Sequence, residues 1–109
     1  MDSSQLLKGV LDLAVLAVLD GQDSYGYDVV RRLREAGLDD VGDASVYGTL
    51  RRLFKAGALT SYVVASDEGP HRKYYGLNDV GRSLLSDSAR TWTSFAATMD
   101  GLLKEVGAG

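Results

Sequence analysis

The stretch DASVYGTLRRLFKAGALTSYVVASDEGPHRKYYGL, residues 43–77, decides the fold. Val46, Leu50, Leu53 and Phe54 recur at helical spacing and share one side of a helix predicted from Asp43, as N-cap, to about Ala56. Ala44, Ser45, Gly48, Arg51, Arg52 and Lys55 fall on the other side, with Tyr47 on the flank. Gly57 breaks that pattern, and Leu59 to Ala65 is a β-branched and aromatic run. Ser66-Asp67-Glu68-Gly69-Pro70 has turn chemistry before Arg72-Lys73-Tyr74-Tyr75 resumes strand character. Tyr74 and Tyr75 alternate across their strand, so one enters the core and the other faces out. Helix, glycine turn and hairpin in this order are the sequence form of a winged helix-turn-helix, the hairpin being the wing.

Upstream, Gln5 to about Asp20 reads as a first helix whose apolar residues leave almost no polar face. Such a helix needs cover on several sides, more than a small three-helix domain supplies, and a second subunit is the natural source. The stretch Leu6 to Leu19 is not read as a secretory signal: it lacks a basic leader and a small-residue cleavage site, and Lys8 and Asp12 interrupt it. It is also shorter than the ~20 apolar residues that cross a bilayer, so a cytoplasmic protein is expected. Gly21 ends this helix, and Ser24 or Asp23 is expected to cap a second one carrying Tyr25, Val29, Val30, Leu33 and Ala36 on its apolar side. Arg31, Arg32 and Arg34 point elsewhere as a solvated face, and Gly37 follows as the residue after the C-cap.

Downstream, Asn78 is the expected cap of a last helix running to about Val106. Leu85, Trp92, Met99 and Val106 fall seven residues apart, with Ala89, Phe95 or Ala96, and Leu102 or Leu103 at the alternate positions. This heptad pattern predicts a helix packed along a partner. The expected architecture is therefore mainly α with a small β-hairpin, in the α+β class. Residues 1–77 form the winged helix-turn-helix, and residues 78–109 a C-terminal dimerisation helix packed with the first helix as one structural unit. The dimer interface is expected at Leu85, Ala89, Trp92, Met99, Leu102, Leu103 and Val106.

A chain of 109 residues holds one core, not two. With no cysteine and the single histidine His71, neither disulfides nor thiolate or histidine-rich metal sites are available, and no cofactor is implied. No second histidine, phosphate-binding glycine loop or poised carboxylate pair supports an enzyme. The net charge of −3 conceals a polarised distribution. Residues 44–76 hold five basic side chains against Asp67 and Glu68, a local +3, whereas residues 1–30 hold Lys8 against five aspartates, a local −4. The positive part lies on the third helix and wing. Small residues at the start of that helix permit close approach to a groove, its first turn favours phosphate, and Arg72 and Lys73 stand at the wing base. Ser45, Tyr47, Gly48, Arg51, Arg52, Lys55, Arg72 and Lys73 are thus the candidate DNA-binding residues. His71 is read as a solvent-exposed residue of the wing tip.

The set Ser24-Tyr25-Gly26-Tyr27-Asp28, Ser45-Val46-Tyr47, Arg51-Arg52-Leu53, Lys55-Ala56-Gly57 and Arg72-Lys73-Tyr74-Tyr75-Gly76-Leu77 resembles the PadR-like transcriptional regulators over about residues 6 to 105. The resemblance implies a homodimeric repressor on a near-palindromic double-stranded operator, with the third helix in the major groove and the wing on the backbone or minor groove. Where the family usually has Gly-Thr-Leu-Tyr-Pro, this chain has Ala44-Ser45-Val46-Tyr47-Gly48. Ser45 keeps the hydroxyl, Val46 the core contact and Tyr47 the phenol. Gly48 costs about 1 kcal/mol of helix propensity relative to alanine. Trp92, with Phe95 and Ala96, is either interface core or the lining of a site for a small, flat aromatic effector that releases the repressor. The alternative function is a winged-helix protein-interaction module without sequence-specific DNA binding.

Overall fold

Three helices pack around one apolar centre, a small sheet closes it, and a fourth helix runs out beyond both. The computed structural model describes residues 2–108. In chain order the elements are α1 (Ser3–Gly21), β1 (Ser24–Tyr25), α2 (Gly26–Glu35), α3 (Asp43–Lys55), β2 (Leu59–Val64), β3 (Arg72–Leu77) and α4 (Asp79–Ala108). The sheet is antiparallel with order β1-β3-β2. The expected hairpin is there, with Tyr62 opposite Tyr74 and Leu59 opposite Leu77.

The core is drawn from one stripe of each helix: Val15, Leu16 and Leu19 from α1, Val29, Val30 and Leu33 from α2, Val46, Leu50 and Leu53 from α3. Leu59 and Tyr75 close it from the sheet. Each such side chain contributes about 1.5–3 kcal/mol by leaving water. Tyr75 is the inward member of the tyrosine pair, as the strand alternation requires, and Tyr74 is only half-buried.

Three local expectations are corrected. Ser24 and Asp23 do not cap α2: Ser24 is buried in β1 opposite Tyr75, and Tyr25, opposite Tyr74, is itself the N-cap, with no side-chain hydrogen bond. A two-residue strand is too short to leave an alternating pattern, which is why the sequence reads straight into the helix. The N-cap of α3 is Gly42, and Asp43 is its first residue, drawn to the Arg34 guanidinium at 2.9 Å. Phe54 stays 42 % exposed instead of joining the core, because it lies about 90° round α3 from the centre of the buried stripe, on a flank where the Lys73 ammonium sits 5.5 Å from its ring.

The expected solvated face of α2 is partly used. Arg32 donates to the Ser24 hydroxyl at 2.7 Å and Arg34 to the Val41 carbonyl at 3.0 Å, so both pin the connections around α2. Arg31 remains exposed between Asp28 and Glu35.

Both α2 and α3 end in the same way. Gly37 and Gly57 take positive φ of 116° and 83°. The Leu38 and Ala58 N–H groups donate back to the Leu33 and Leu53 carbonyls at 3.1 and 3.0 Å, the Schellman arrangement. Around Gly57 there is open space, so a side chain there meets only backbone strain. Gly57→Ala is expected to destabilise the fold by about 1–2 kcal/mol, read as a lower urea midpoint at unchanged slope, with Gly57→Asn losing less.

Asn78 caps α4 as expected, accepting from the Gly81 N–H at 2.9 Å while its amide donates to the Gly57 carbonyl at 2.8 Å. Leu85 packs against the core edge, where Leu7, Ala14 and Val18 of α1 also lie. Beyond it, Trp92 is 46 % and Val106 76 % exposed. No helix among the described residues is long and apolar enough to cross a membrane.

Candidate nucleic-acid interface

At 100° per residue, the buried stripe of α3 (Val46, Thr49, Leu50, Leu53) leaves Ala44, Gly48, Arg51 and Lys55 pointing directly away from the core. These four form the outermost line of the helix. Thr49 is buried because its hydroxyl donates to the Ser45 carbonyl at 2.8 Å, which hides its polarity; nothing in the apolar count announces it. Gly48 keeps the middle of this line flat and leaves the Arg51 side chain beside it clear.

The flanks of α3 meet different neighbours. On one side, Tyr47 lies so close to α2 that a Cβ at Gly26 would overlap its ring. The absence of a side chain at Gly26 is therefore what seats the phenol. Phe54, on the same flank two turns later, carries Lys73. On the other side are Ser45, exposed, and Arg52, whose guanidinium makes a two-pronged contact with the Asp12 carboxylate of α1 at 2.8 Å for each bond. That contact holds the Asp12 carboxyl below its ordinary range, against a smaller opposing effect of burial. A carboxyl lowered by folding adds stability above its unfolded pKa and loses it as pH falls through the folded value, so the pair is intact at neutral pH.

The wing brings its two cations to the same edge from opposite faces of β3. Lys73 lies on the inner face, over Phe54 and Tyr75. Arg72 lies on the outer face, 4.7 Å above the Tyr25 ring. Because β1 is only two residues long, the edge of β3 is open beyond Tyr74. Tyr25, Gly26, Tyr27, Tyr47, Arg72, Lys73 and Tyr75 surround a shallow cleft of about 290 Å³ there. Tyr25 and Tyr27 lie outside the residues that the sequence marks as candidates. The Tyr-Gly-Tyr spacing is plain in the sequence, but its proximity to the wing depends on the β1–β3 pairing.

An aromatic ladder stiffens the outer face: Tyr25–Tyr74 and Tyr62–Tyr74 centroids are 5.6 and 5.7 Å apart. The Tyr62 hydroxyl donates to Asp23 at 2.7 Å, which raises the phenol pKa above its usual value. Asp23 reaches that position over Gly76, where a Cβ would collide with its carboxylate. His71 is exposed at the hairpin tip as read. The structure thus brings Tyr47, Arg72 and Lys73 around one cleft, sets Gly48, Arg51 and Lys55 on the outward line of α3, and ties Arg52 sideways to α1.

Trp92 and Phe95 lie far along α4, tilted against each other with centroids 6.4 Å apart on an open helix face. Ala96 is half-buried beside them. Met99, Leu102, Leu103 and Val106 continue the exposed apolar stripe. Ala89 is half-buried nearer the core.

Fold and site together define a winged helix-turn-helix regulator with a basic reading face. The chain matches the model of the transcriptional regulator PadR-like family over residues 15–87 and belongs to that family, whose members are regulators and not enzymes. It is similar to a PadR-like transcriptional regulator of Bacillus cereus at 33% identity and TM-score 0.81, covering 91% of this chain and 96% of that one. A PadR family transcriptional regulator of Eggerthella lenta matches at 29% identity and TM-score 0.83, over 93% of this chain and 88% of the other. Bacillus subtilis PadR, solved in complex with operator DNA, matches at 26% identity and TM-score 0.68, over 73% of this chain and 46% of its own.

Proposed function

We propose that this chain is a homodimeric repressor that holds a near-palindromic DNA operator, with one winged helix on each half-site. The observation that carries the reading is the outward line of Ala44, Gly48, Arg51 and Lys55 on α3, flanked by the wing cations. A groove-facing helix needs a small residue where backbone approaches bases and cations where it passes phosphates, and this line has both in order. The operator complex of the B. subtilis relative supports the same use of the fold. Ser45 and Tyr47, on the two flanks, are assigned to phosphate or groove-edge contacts, and Arg72 and Lys73 to the backbone beside the wing.

The dimer is assigned to the stripe from Leu85 and Ala89 through Trp92, Met99, Leu102, Leu103 and Val106. A helix of 30 residues, roughly 45 Å long, with that much exposed apolar surface is suited to a second copy of itself. Pairing two copies there would make residues 78–109 the dimerisation unit, with α1 packed against its base. It would also set the two reading helices about one DNA turn apart or a multiple of it.

Selection of duplexes from a random-sequence pool, followed by anisotropy measurements at several salt concentrations, tests the reading. A two-fold symmetric consensus bound with a steep salt dependence is expected; recovery of no enriched sequence would overturn it. Sedimentation should give a dimer. Gly26→Ala should displace the Tyr47 ring and weaken binding to the selected duplex about tenfold, matching Tyr47→Ala, while the chain stays folded by circular dichroism. Trp92, Phe95 and Ala96 are the assigned effector surface, closed by the second copy. Quenching of Trp92 fluorescence by planar aromatic compounds, coupled to loss of duplex binding, is the expected result.

A further inference from the structure

Arg51 and Arg52 are adjacent, equally charged and both exposed, and sequence alone treats them as a pair. The structure separates them. Arg51 stands on the outward line of α3, whereas Arg52 lies one flank away and spends both prongs of its guanidinium on Asp12, 40 positions earlier in the chain. A two-pronged contact between a planar fork and a carboxylate fixes direction as well as distance. Its ends belong to two elements with different duties: α3 carries the reading face, and α1 packs near the base of α4.

We propose that Arg52 is not a DNA contact but a strut, and that Asp12 is the positioning residue that sets the roll of the reading helix against α1. The apolar stripe of α3 fixes which face is buried, but small rotations that keep it buried cost little, since apolar contacts are not directional. A fork on the flank, away from that stripe, supplies the missing restraint. Tyr47 against Gly26 supplies another on the opposite flank. Transfer of Arg52 to a phosphate would leave the Asp12 carboxylate unpaired at the edge of a polyanion, so the exchange is electrostatically opposed at the aspartate.

The inference rests on the DNA-binding reading, and the test separates the two. Affinity for the duplex selected by the unmodified chain is measured against salt for Asp12→Asn, Arg52→Gln and the charge-swapped pair Asp12→Arg with Arg52→Asp. Melting curves establish that each variant is folded at the assay temperature. As a strut, Asp12→Asn and Arg52→Gln each weaken binding about fivefold, and the swap restores it to within about twofold with an unchanged salt slope. If Arg52 touches DNA, Asp12→Asn frees it and tightens binding, and the swap stays weak with a slope smaller by about one. Either result overturns the proposal, as does unaltered binding by both single variants. Failure of the unmodified chain to bind any duplex would remove the DNA reading and this inference together; a defective swap beside normal wild-type binding removes this inference alone.

Discussion

Reversal of Arg51 and Lys55 to glutamate together is expected to weaken binding to the selected duplex by about a hundredfold or more while leaving the fold intact. Both side chains lie on the outward line of α3 and are exposed, so neither substitution opens a cavity. The loss is one of charge. Each phosphate or base-edge contact removed is worth about 1–3 kcal/mol, and two together give the stated factor before the added repulsion is counted. The logarithmic salt slope should fall by about two, because two fewer counterions are released. Anisotropy titrations between low and physiological salt measure both quantities, and the melting temperature is the control. Unchanged binding would show that the outward line of α3 does not face the duplex.

The largest effect on stability is expected at Gly81→Ala. A methyl group there would overlap the Ala58 carbonyl oxygen, and the obstacle is backbone, which cannot rotate aside as a side chain does. The junction is also bonded tightly: Asn78 donates through its side chain to Gly57 and caps Gly81 at 2.8 and 2.9 Å. Alanine would gain about 1 kcal/mol of helix propensity over glycine. Forcing the first turn of α4 away from the α3–β2 corner should outweigh that gain, with a net loss of about 2 kcal/mol. For a chain of this size the melting temperature should drop by roughly 8–16 °C. Gly101→Ala, on the same helix but with open space around it, is the matched control and should not destabilise. If dimerisation follows the exposed stripe of α4, Gly81→Ala should also alter the geometry between reading heads and weaken duplex binding beyond its effect on folding.

Much of this architecture is legible in the order of residues because helices and strands impose different periods on apolar side chains. The stripe Val46, Leu50 and Leu53, the glycines after α2 and α3, the Asn78 cap and the alternation of Tyr74 with Tyr75 each report a local rule that operates within a few residues. Local rules also mark the basic character of α3 and the wing, and hence the type of partner. Where contacts join distant positions, those rules are silent. Pairing of Ser24-Tyr25 with Tyr74-Tyr75 spans about 50 positions and turns an expected cap into a strand. Phe54 has the spacing of a core residue, yet it stays on the flank near the surface, beneath a wing lysine from β3. Arg51 and Arg52 are indistinguishable as letters; what separates them is an aspartate on another helix, brought within hydrogen-bond reach only when α1 packs on α3. The chain's own sequence thus determined the helices, the wing and the sign of the reading face. Tertiary packing decided which residues of that face are held inward, because the partner that holds each of them is supplied by a distant segment.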